Sequence, residues 1–232
     1  NKALKAIDET TFYPRKGKER LKSMIETRPD WCVSRQRVWG VPLPIFINKK
    51  TNKILVDDEV FENIAKIYEK EGSDCWFSDD PQKFLGKRYK AEDFEKLSDI
   101  VEVWFDSGST HSFVLEKRED LKWPASMYLE GSDQHRGWFH SSLLESCGTR
   151  GKAPFESILS HGFVVDGKGL KMSKSLGNVI APEDILKKYG ADILRIWVAS
   201  SNYAEDLRID YSILDQHSES YRKIRNTFRY LL

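Results

Sequence analysis

The sequence predicts an α/β fold whose core is a parallel sheet. Met127–Leu129 and Ile158–Val165 are apolar runs bounded by turn residues, which is how buried strands read, and Gln134–Ser146 between them reads as a helix. Strand, helix, strand in that order is a βαβ unit, and its strands run parallel. A third apolar run, Ile100–Phe105, is expected to add a strand to the same sheet. The chain can pack such a core, because 40% of its 232 residues are hydrophobic against 31% charged, the balance of a soluble globular protein.

The other elements follow in order. Gly17–Arg28 carries Leu21, Met24 and Ile25 at helical spacing, and Pro29 stops it. Val41–Ile47 is apolar and β-branched, but Pro42 and Pro44 hold it to an edge strand. The polar turn Asn48–Lys53 leads to Ile54–Val56, expected to return as a second strand. Asp57–Glu71 is an amphipathic helix: Val60, Phe61, Ile64, Ile67 and Tyr68 line one face, acidic residues open it and Gly72 ends it. After Pro182 the pattern turns helical, with Glu183–Lys188 and Ala191–Ala199 as short helices. In the last segment Ile213, Leu214, His217, Tyr221, Ile224, Phe228, Leu231 and Leu232 recur at three- and four-residue steps. Its polar face holds Arg222, Lys223, Arg225 and Arg229; a solvated surface is the plain reading, and contact with RNA phosphates the sharper one. The chain opens on Asn1 in place of Met, and its last helix meets no stop signal, so a piece of a longer protein is expected.

Composition excludes several classes. The 37 Lys+Arg against 36 Asp+Glu rule out a polybasic tail or an acidic low-complexity chain, though not a local basic face. No apolar run approaches the ~20 residues that cross a bilayer, and no secretory pattern opens the chain. Cys32, Cys75 and Cys147 are far apart and form no CxxC pair, which excludes a disulfide scaffold or zinc knuckle and fits a cytoplasmic protein. Seven Trp need a packed core, an interface or a pocket around them.

The chemistry concentrates in three stretches. Lys171-Met172-Ser173-Lys174-Ser175 is followed by Leu176-Gly177-Asn178 and preceded by Gly167 and Gly169. Two lysines three residues apart, with hydroxyls between them and glycines before them, make a mobile cationic loop that can close on a polyphosphate. An exposed polar turn is the bland alternative. The second stretch runs from Tyr128 through Glu130, Gly131, Asp133, Gln134 and His135 to Trp138. A strand ends and a helix starts here, and ligands of open α/β sheets bind at such points. Carboxylates suit ribose hydroxyls and ammonium groups, and Gly131 lets a ligand approach the backbone. Taken singly, Asp133 reads as a helix N-cap, Glu130 as a surface charge and Trp138 as core; together at one strand end they favour a site. The third stretch is Val103-Trp104-Phe105-Asp106-Ser107-Gly108, where Trp104 could wall an apolar pocket or simply fill the core. His161 stands ten residues before the lysine loop, where a satisfied core histidine is the commoner case. His135, His140 and Cys147 have no metal spacing. No G-x-S-x-G, Walker loop or G-x-G-x-x-G occurs.

These stretches together resemble the class I aminoacyl-tRNA synthetases, and within them the bacterial isoleucyl-tRNA synthetases. KMSKS marks the class. Arg28-Pro-Asp-Trp-Cys-Val-Ser-Arg-Gln-Arg-Val-Trp-Gly-Val-Pro-Leu-Pro marks the isoleucine, valine and leucine subgroup, and VWFDSGSTHSF and YLEGSDQHRGWFHSSLL look like the isoleucine enzymes. The resemblance implies a partial Rossmann sheet with a small α+β insertion and a C-terminal helical segment. Residues 1–40 would be a return segment from an absent insertion, 41–98 the small α+β insertion, and 99–181 the second half of the catalytic core with its lysine loop. Residues 182–232 would be a stem-contact segment and the start of an anticodon-binding domain. The implied chemistry is ATP-dependent activation of L-isoleucine and transfer to tRNA(Ile), with Mg²⁺ accompanying ATP and no zinc site.

By the same resemblance Lys171 and Lys174 stabilise the phosphates, within a loop completed by Met172, Ser173 and Ser175. Glu130, Gly131, Asp133 and Gln134 hold the adenylate, its ribose and the amino group, Trp104 and Trp138 wall the side-chain pocket, and His161 lies near the nucleotide. The sequence departs from the family in lacking its His-x-Gly-His signature, which neither His111-Ser112-Phe113 nor His161-Gly162-Phe163 supplies. The expectation is therefore a fragment that needs the N-terminal half of the same enzyme, is inactive alone, and can associate through surfaces meant for that half. A catalytically silent RNA-binding module and a valine-specific synthetase are the alternatives.

Overall fold

The computed structural model describes residues 2–232. The chain opens with helix α1 (Lys2–Glu9), strand β1 (Thr11–Tyr13) and helix α2 (Lys16–Glu26). It then runs through β2 (Ser34–Arg35) and β3 (Phe46–Asn48) to α3 (Asp58–Glu71), α4 (Cys75–Ser78) and α5 (Pro81–Leu85). Strands β4 (Phe94–Lys96) and β5 (Ile100–Val101) precede α6 (Val103–Gly108), and a π turn at His111–Leu115 follows it. The βαβ unit is β6 (Tyr128–Gly131), α7 (Trp138–Thr149) and β7 (Ser157–His161). The last part holds β8 (Val164–Asp166), α8 (Pro182–Tyr189), α9 (Ala191–Ser200), β9 (Leu207–Ile209) and α10 (Tyr211–Leu231).

The parallel sheet has three strands in the order β1-β7-β6. Its core forms where Phe12, Tyr128 and Ile158 meet Ile7 of α1, Leu21 of α2 and Phe139 and Leu143 of α7, all buried. β1 escaped the sequence reading, since a three-residue strand with Thr11 and Tyr13 exposed carries almost no hydrophobic signal. β6 is less enclosed than expected: Tyr128 is buried, but Leu129 is exposed on this edge strand, as is Met127 just before it.

Four strand expectations are corrected. Val41–Ile47 is a strand only from Phe46, past Pro42 and Pro44, whose missing N–H groups cannot join a ladder. Ile100–Phe105 is not a strand of the parallel sheet. Only Ile100–Val101 is extended, and it pairs antiparallel with Ser34–Arg35. Buried Glu102 then caps α6, its carboxylate accepting the Trp104 N–H at 3.0 Å, and a good cap outweighs the strand preference of Val103, Trp104 and Phe105. Ile158–Val165 is interrupted at Gly162, whose Cα lies against the backbone of Glu205 and Asp206 with no room for a Cβ. The Gly162 N–H donates to the Tyr203 carbonyl at 2.9 Å, and the chain resumes as β8, parallel to β9 and outside the first sheet. Ile54–Val56 does not return as a strand: Ile54 makes one isolated bridge to Ile47, while β3 pairs with β4.

The remaining elements form two further hydrophobic clusters. Phe46, Val60, Ile64, Trp76, Phe84 and Phe94 pack together around α3. Asp57 caps that helix, accepting from the N–H groups of Glu59 and Val60 at 3.0 and 3.3 Å. Ile185, Ile193, Trp197, Ile209 and Leu214 pack α8, α9, β9 and α10 together. Among the described residues no helix is long and apolar enough to cross a membrane.

Candidate active site

Parallel strands deliver their carboxyl ends to one edge of a sheet, and here Tyr13, His161 and Gly131 end β1, β7 and β6 at that edge. Gly131 and His161 are paired in register, as are Glu130 and Ser160. Gly131 is buried, and the Asp133 carboxylate folds back over it: a Cβ would stand 2.6 Å from Asp133 Oδ1 and 3.8 Å from the Phe163 ring. Glu130 and Asp133 are exposed and enter no ion pair among the described residues. The edge thus carries a buried glycine and two exposed carboxylates, acceptors suited to hydroxyls and ammonium groups.

The helix expected over Gln134–Ser146 begins differently. Ser132–His135 is a 3₁₀ turn, and α7 starts only at Trp138. Asp133 does not cap α7; Gln134 does, its Oε1 accepting the Trp138 N–H at 2.9 Å while its Nε2 donates to Asp133 Oδ2 at 3.2 Å. The turn is held from below by buried His135, whose Nδ1 donates to the Ser132 carbonyl at 2.8 Å. That bond leaves Nε2 as a buried acceptor with no partner, against Gly17. Burial holds the His135 pKa below the usual histidine value, so the ring is neutral near pH 7.

The two expected pocket tryptophans sit on either side of the turn. The Trp104 ring lies over Gly137, where a Cβ would be 3.0 Å from two ring atoms. Trp138 stacks on Tyr128 with ring centroids 3.9 Å apart and planes 3° from parallel, and its indole N–H donates to the Ser107 carbonyl. Trp104 lines an apolar cavity of about 210 Å³ with Trp31, Arg28, Arg136, His140 and Leu144; Trp138 is not among its walls. The sequence reading did not place Arg28, Trp31, Arg136 or His140 at a site. Below the cavity, buried Glu145 of α7 faces Gly108 of α6, and its Oε1 has no hydrogen-bond partner. Burial, with help from the Asp106 carboxylate, pushes the Glu145 pKa up to about 8.

His161 is half-buried, its Nδ1 donating to the Gly162 carbonyl at 2.8 Å. The lysine loop follows β8. Lys171 and Lys174 are exposed, Met172 and Ser173 half-buried, and Ser175 exposed, with 3.1 Å between the Ser173 and Ser175 hydroxyl oxygens. No hydrogen bond or ion pair joins either lysine to the Glu130–Gln134 turn among the described residues. The structure thus brings Glu130, Gly131, Asp133, Gln134 and His161 to one edge and holds the lysines on a separate loop. Among the described residues no three His, Cys, Asp or Glu side chains gather where they could hold a cation.

Comparison with known proteins follows the same lines. Residues 1–210 match the family model described as tRNA synthetases class I (I, L, M and V). The whole chain is 87% identical to a stretch of the isoleucine–tRNA ligase of Pelagibacter ubique (strain HTCC1062), covering 26% of that protein. It is 58% identical to the isoleucine–tRNA ligase of Brucella abortus biovar 1 (strain 9-941), covering 24%. The chain therefore spans about a quarter of the length of the curated relatives it matches. Among solved structures, Mycobacterium tuberculosis methionyl-tRNA synthetase bound by methionyl-adenylate aligns over 93% of this chain and 34% of its own, with TM-score 0.60 and 18% identity. The LeuRS of Agrobacterium radiobacter K84, in a ternary complex with tRNA and LeuAMS, aligns over 87% and 28%, with TM-score 0.59 and 19% identity. At that identity the two structures speak for the fold alone.

Proposed function

This chain belongs to the class I tRNA synthetases of the I, L, M and V group, and from that premise we propose that it carries one half of the amino-acid activation site of an isoleucine–tRNA ligase. The observation that carries the reading is the in-register pairing of Gly131 with His161 at the carboxyl edge, with a two-lysine loop on the next strand. That edge suits a nucleotide, and the loop suits its phosphates.

In the proposed reaction the isoleucine carboxylate attacks the α-phosphorus of ATP in line. A carboxylate O–P bond forms, the bond to the bridging oxygen breaks, and pyrophosphate leaves with the electron pair. The isoleucyl group then passes from the adenylate to a hydroxyl on the terminal adenosine of tRNA(Ile). No enzyme nucleophile is required, so the protein contributes position and charge. Glu130 and Asp133 accept from the ammonium group and the ribose hydroxyls, and Gly131 admits the ligand to the strand end. Gln134 holds Asp133 and the start of α7 in place. His161 borders the nucleotide across from Gly131. Trp104 flanks the side chain, Trp138 ties α7 to the helix that carries Trp104, and Lys171 and Lys174 offset charge building on the phosphates. ATP arrives as its Mg²⁺ complex, and the metal is part of that substrate. The remainder of the enzyme, including the N-terminal half, completes the site, and the chain alone is inactive.

The test is isoleucine-dependent ATP–pyrophosphate exchange by the full-length protein that carries this sequence, run beside valine and leucine. Exchange highest with isoleucine supports the reading. Higher exchange with valine replaces the substrate, and a folded protein that binds tRNA without any exchange replaces the enzyme with an RNA-binding module. Calorimetric titration of the 232-residue chain with a non-hydrolysable isoleucyl-adenylate analogue, repeated after Asp133→Ala, asks whether this half-site is preformed.

A further inference from the structure

One pair of side chains ties down the segment that carries Lys171 and Lys174. Asp166 ends β8, and its Oδ1 accepts from the backbone N–H groups of Lys168 at 3.0 Å and Leu170 at 2.8 Å. Its Oδ2 accepts from the Asn178 side-chain amide at 2.9 Å. The same amide nitrogen reaches the Lys171 carbonyl at 3.3 Å, and Asn178 Oδ1 accepts the Ser173 N–H at 2.9 Å. Two side chains thus close residues 166–178 into a ring, with Lys171 and Ser173 both fastened to its clasp. The two lysine ammonium groups stay exposed and enter no ion pair among the described residues.

The base of the ring is also fixed. Gly167 lies against the Asp210 carboxylate with no room for a Cβ, and Asp210 caps α10 through the Ile213 N–H at 2.8 Å. Three glycines, Gly167, Gly169 and Gly177, lie inside the ring, and a segment so rich in glycine does not keep one path unaided. The Asn178 amide and the Leu170 N–H hold the Asp166 carboxyl below the usual carboxylate range, as expected of an acceptor fully used.

We infer that Asp166 and Asn178 are positioning residues whose mutual bond is a latch, fixing the backbone path of Lys171–Lys174 so that both ammonium groups face a polyphosphate without being spent on protein partners. The inference rests on the phosphate role proposed for the two lysines. The latch touches neither substrate nor reacting atoms; it acts through the lysines. Misplacing such groups by about an ångström costs on the order of 10²-fold in rate, whereas binding of the amino acid, made elsewhere, is untouched.

The experiment uses the full-length protein with Asn178→Ala, Asn178→Asp, Asp166→Asn, and the exchanged pair Asp166→Asn with Asn178→Asp. Asn178→Asp sets two carboxylates face to face; the exchange restores one donor opposite one acceptor. Trypsin nicking after Lys171 and Lys174, which follows the open population when opening is fast, reads the latch without any substrate. Isoleucine-dependent ATP–pyrophosphate exchange reads its consequence, and thermal midpoints serve as the control. The single variants are expected to be nicked about tenfold faster and to lose about tenfold to 10²-fold in kcat, with KM for isoleucine unchanged. The exchanged pair restores the bond between positions 166 and 178 and the acceptor for the Ser173 N–H but not the donor to the Lys171 carbonyl, and is expected to recover both in part, above Asn178→Asp.

Unchanged nicking in the single variants overturns the latch. Faster nicking with unchanged kcat overturns its positioning role. A kcat loss accompanied by a raised isoleucine KM and a lowered thermal midpoint marks a merely structural role and overturns it as well. Absence of exchange in the unsubstituted protein overturns the functional reading instead, and nicking then still decides whether the latch exists.

Discussion

The indole N–H of Trp138 donates to the carbonyl of Ser107 across 2.9 Å, fastening the first residue of α7 to α6. Ser107 lies in the helix that carries Trp104 over Gly137, so this bond joins the packing of Gly108 on Glu145 in holding the two tryptophans in place. Replacing Trp138 by Phe keeps much of the stack on Tyr128 and removes the donor. The half-buried Ser107 carbonyl keeps the Thr110 hydroxyl as a donor at 2.6 Å, so the loss is that of one hydrogen bond, about 0.5–1.5 kcal/mol. Trp138→Phe is expected to lower chemical-denaturation stability by about that much and to weaken binding of an isoleucyl-adenylate analogue. Unchanged stability would show that the bond is not formed in solution.

Gly108 faces the Glu145 carboxylate on α7, with Ser141 Oγ 2.9 Å from where a Cβ would stand. Both neighbours belong to a packed helix interface and have little room to move. Gly108→Ala is therefore expected to destabilise by about 1–3 kcal/mol through overpacking, read as a lowered denaturation midpoint. A neutral result would mean that α6 slides on α7.

Glu145 contributes a pH dependence of definite sign. Its ordinary pKa is 4.5 and burial raises it to about 8, so between those values the folded chain binds more protons than the unfolded one. Stability then falls as pH rises through that window, since the folded state must surrender or retain a proton at a cost. The contribution is fully favourable below 4.5 and lost above about 8. Glu145→Gln, neutral at every pH, is expected to flatten this slope and to be more stable than the unsubstituted chain at pH 8.5. Denaturation midpoints from pH 5 to 8.5 check it, and parallel slopes for the two proteins would refute the assignment.

Gly131 separates a folding role from a binding role. A methyl group there would meet Asp133 Oδ1 at 2.6 Å, the far end of a side chain that can swing away. Gly131→Ala is expected to leave the thermal midpoint nearly unchanged and to weaken adenylate-analogue binding by at least about tenfold, because the methyl occupies the ligand's approach to the strand end and the carboxylate leaves its post. Calorimetric titration of the full-length protein measures the change, and retained affinity would argue that Asp133 does not face the ligand.

The βαβ unit was legible because Tyr128 and Ile158 sit in local runs whose flanks are turns, a signal complete within forty residues. The α6 helix was not, since whether Trp104 and Phe105 are strand or helix is decided by the Glu102 cap and by contact with Glu145 forty residues on. The break at Gly162 was hidden for the same reason: its cause is the backbone of Glu205 and Asp206. At the site, Glu130, Asp133 and the two lysines could be picked out by type and spacing. What steadies them could not, because Gln134 under Trp138 and Asn178 on Asp166 are ordinary amides until folding gives them partners.

The three hydrophobic clusters share no residue, and each is closed by its own helices and strands. Local opening follows packing of this kind, so amide protons are expected to exchange in groups that track the three clusters, as native-state hydrogen exchange would read. The Trp76 group is expected to open and reclose without the sheet that carries Glu130. A chain organised in this way is expected to absorb sequence change in one group with little effect on the carboxyl edge at Glu130 and Gly131.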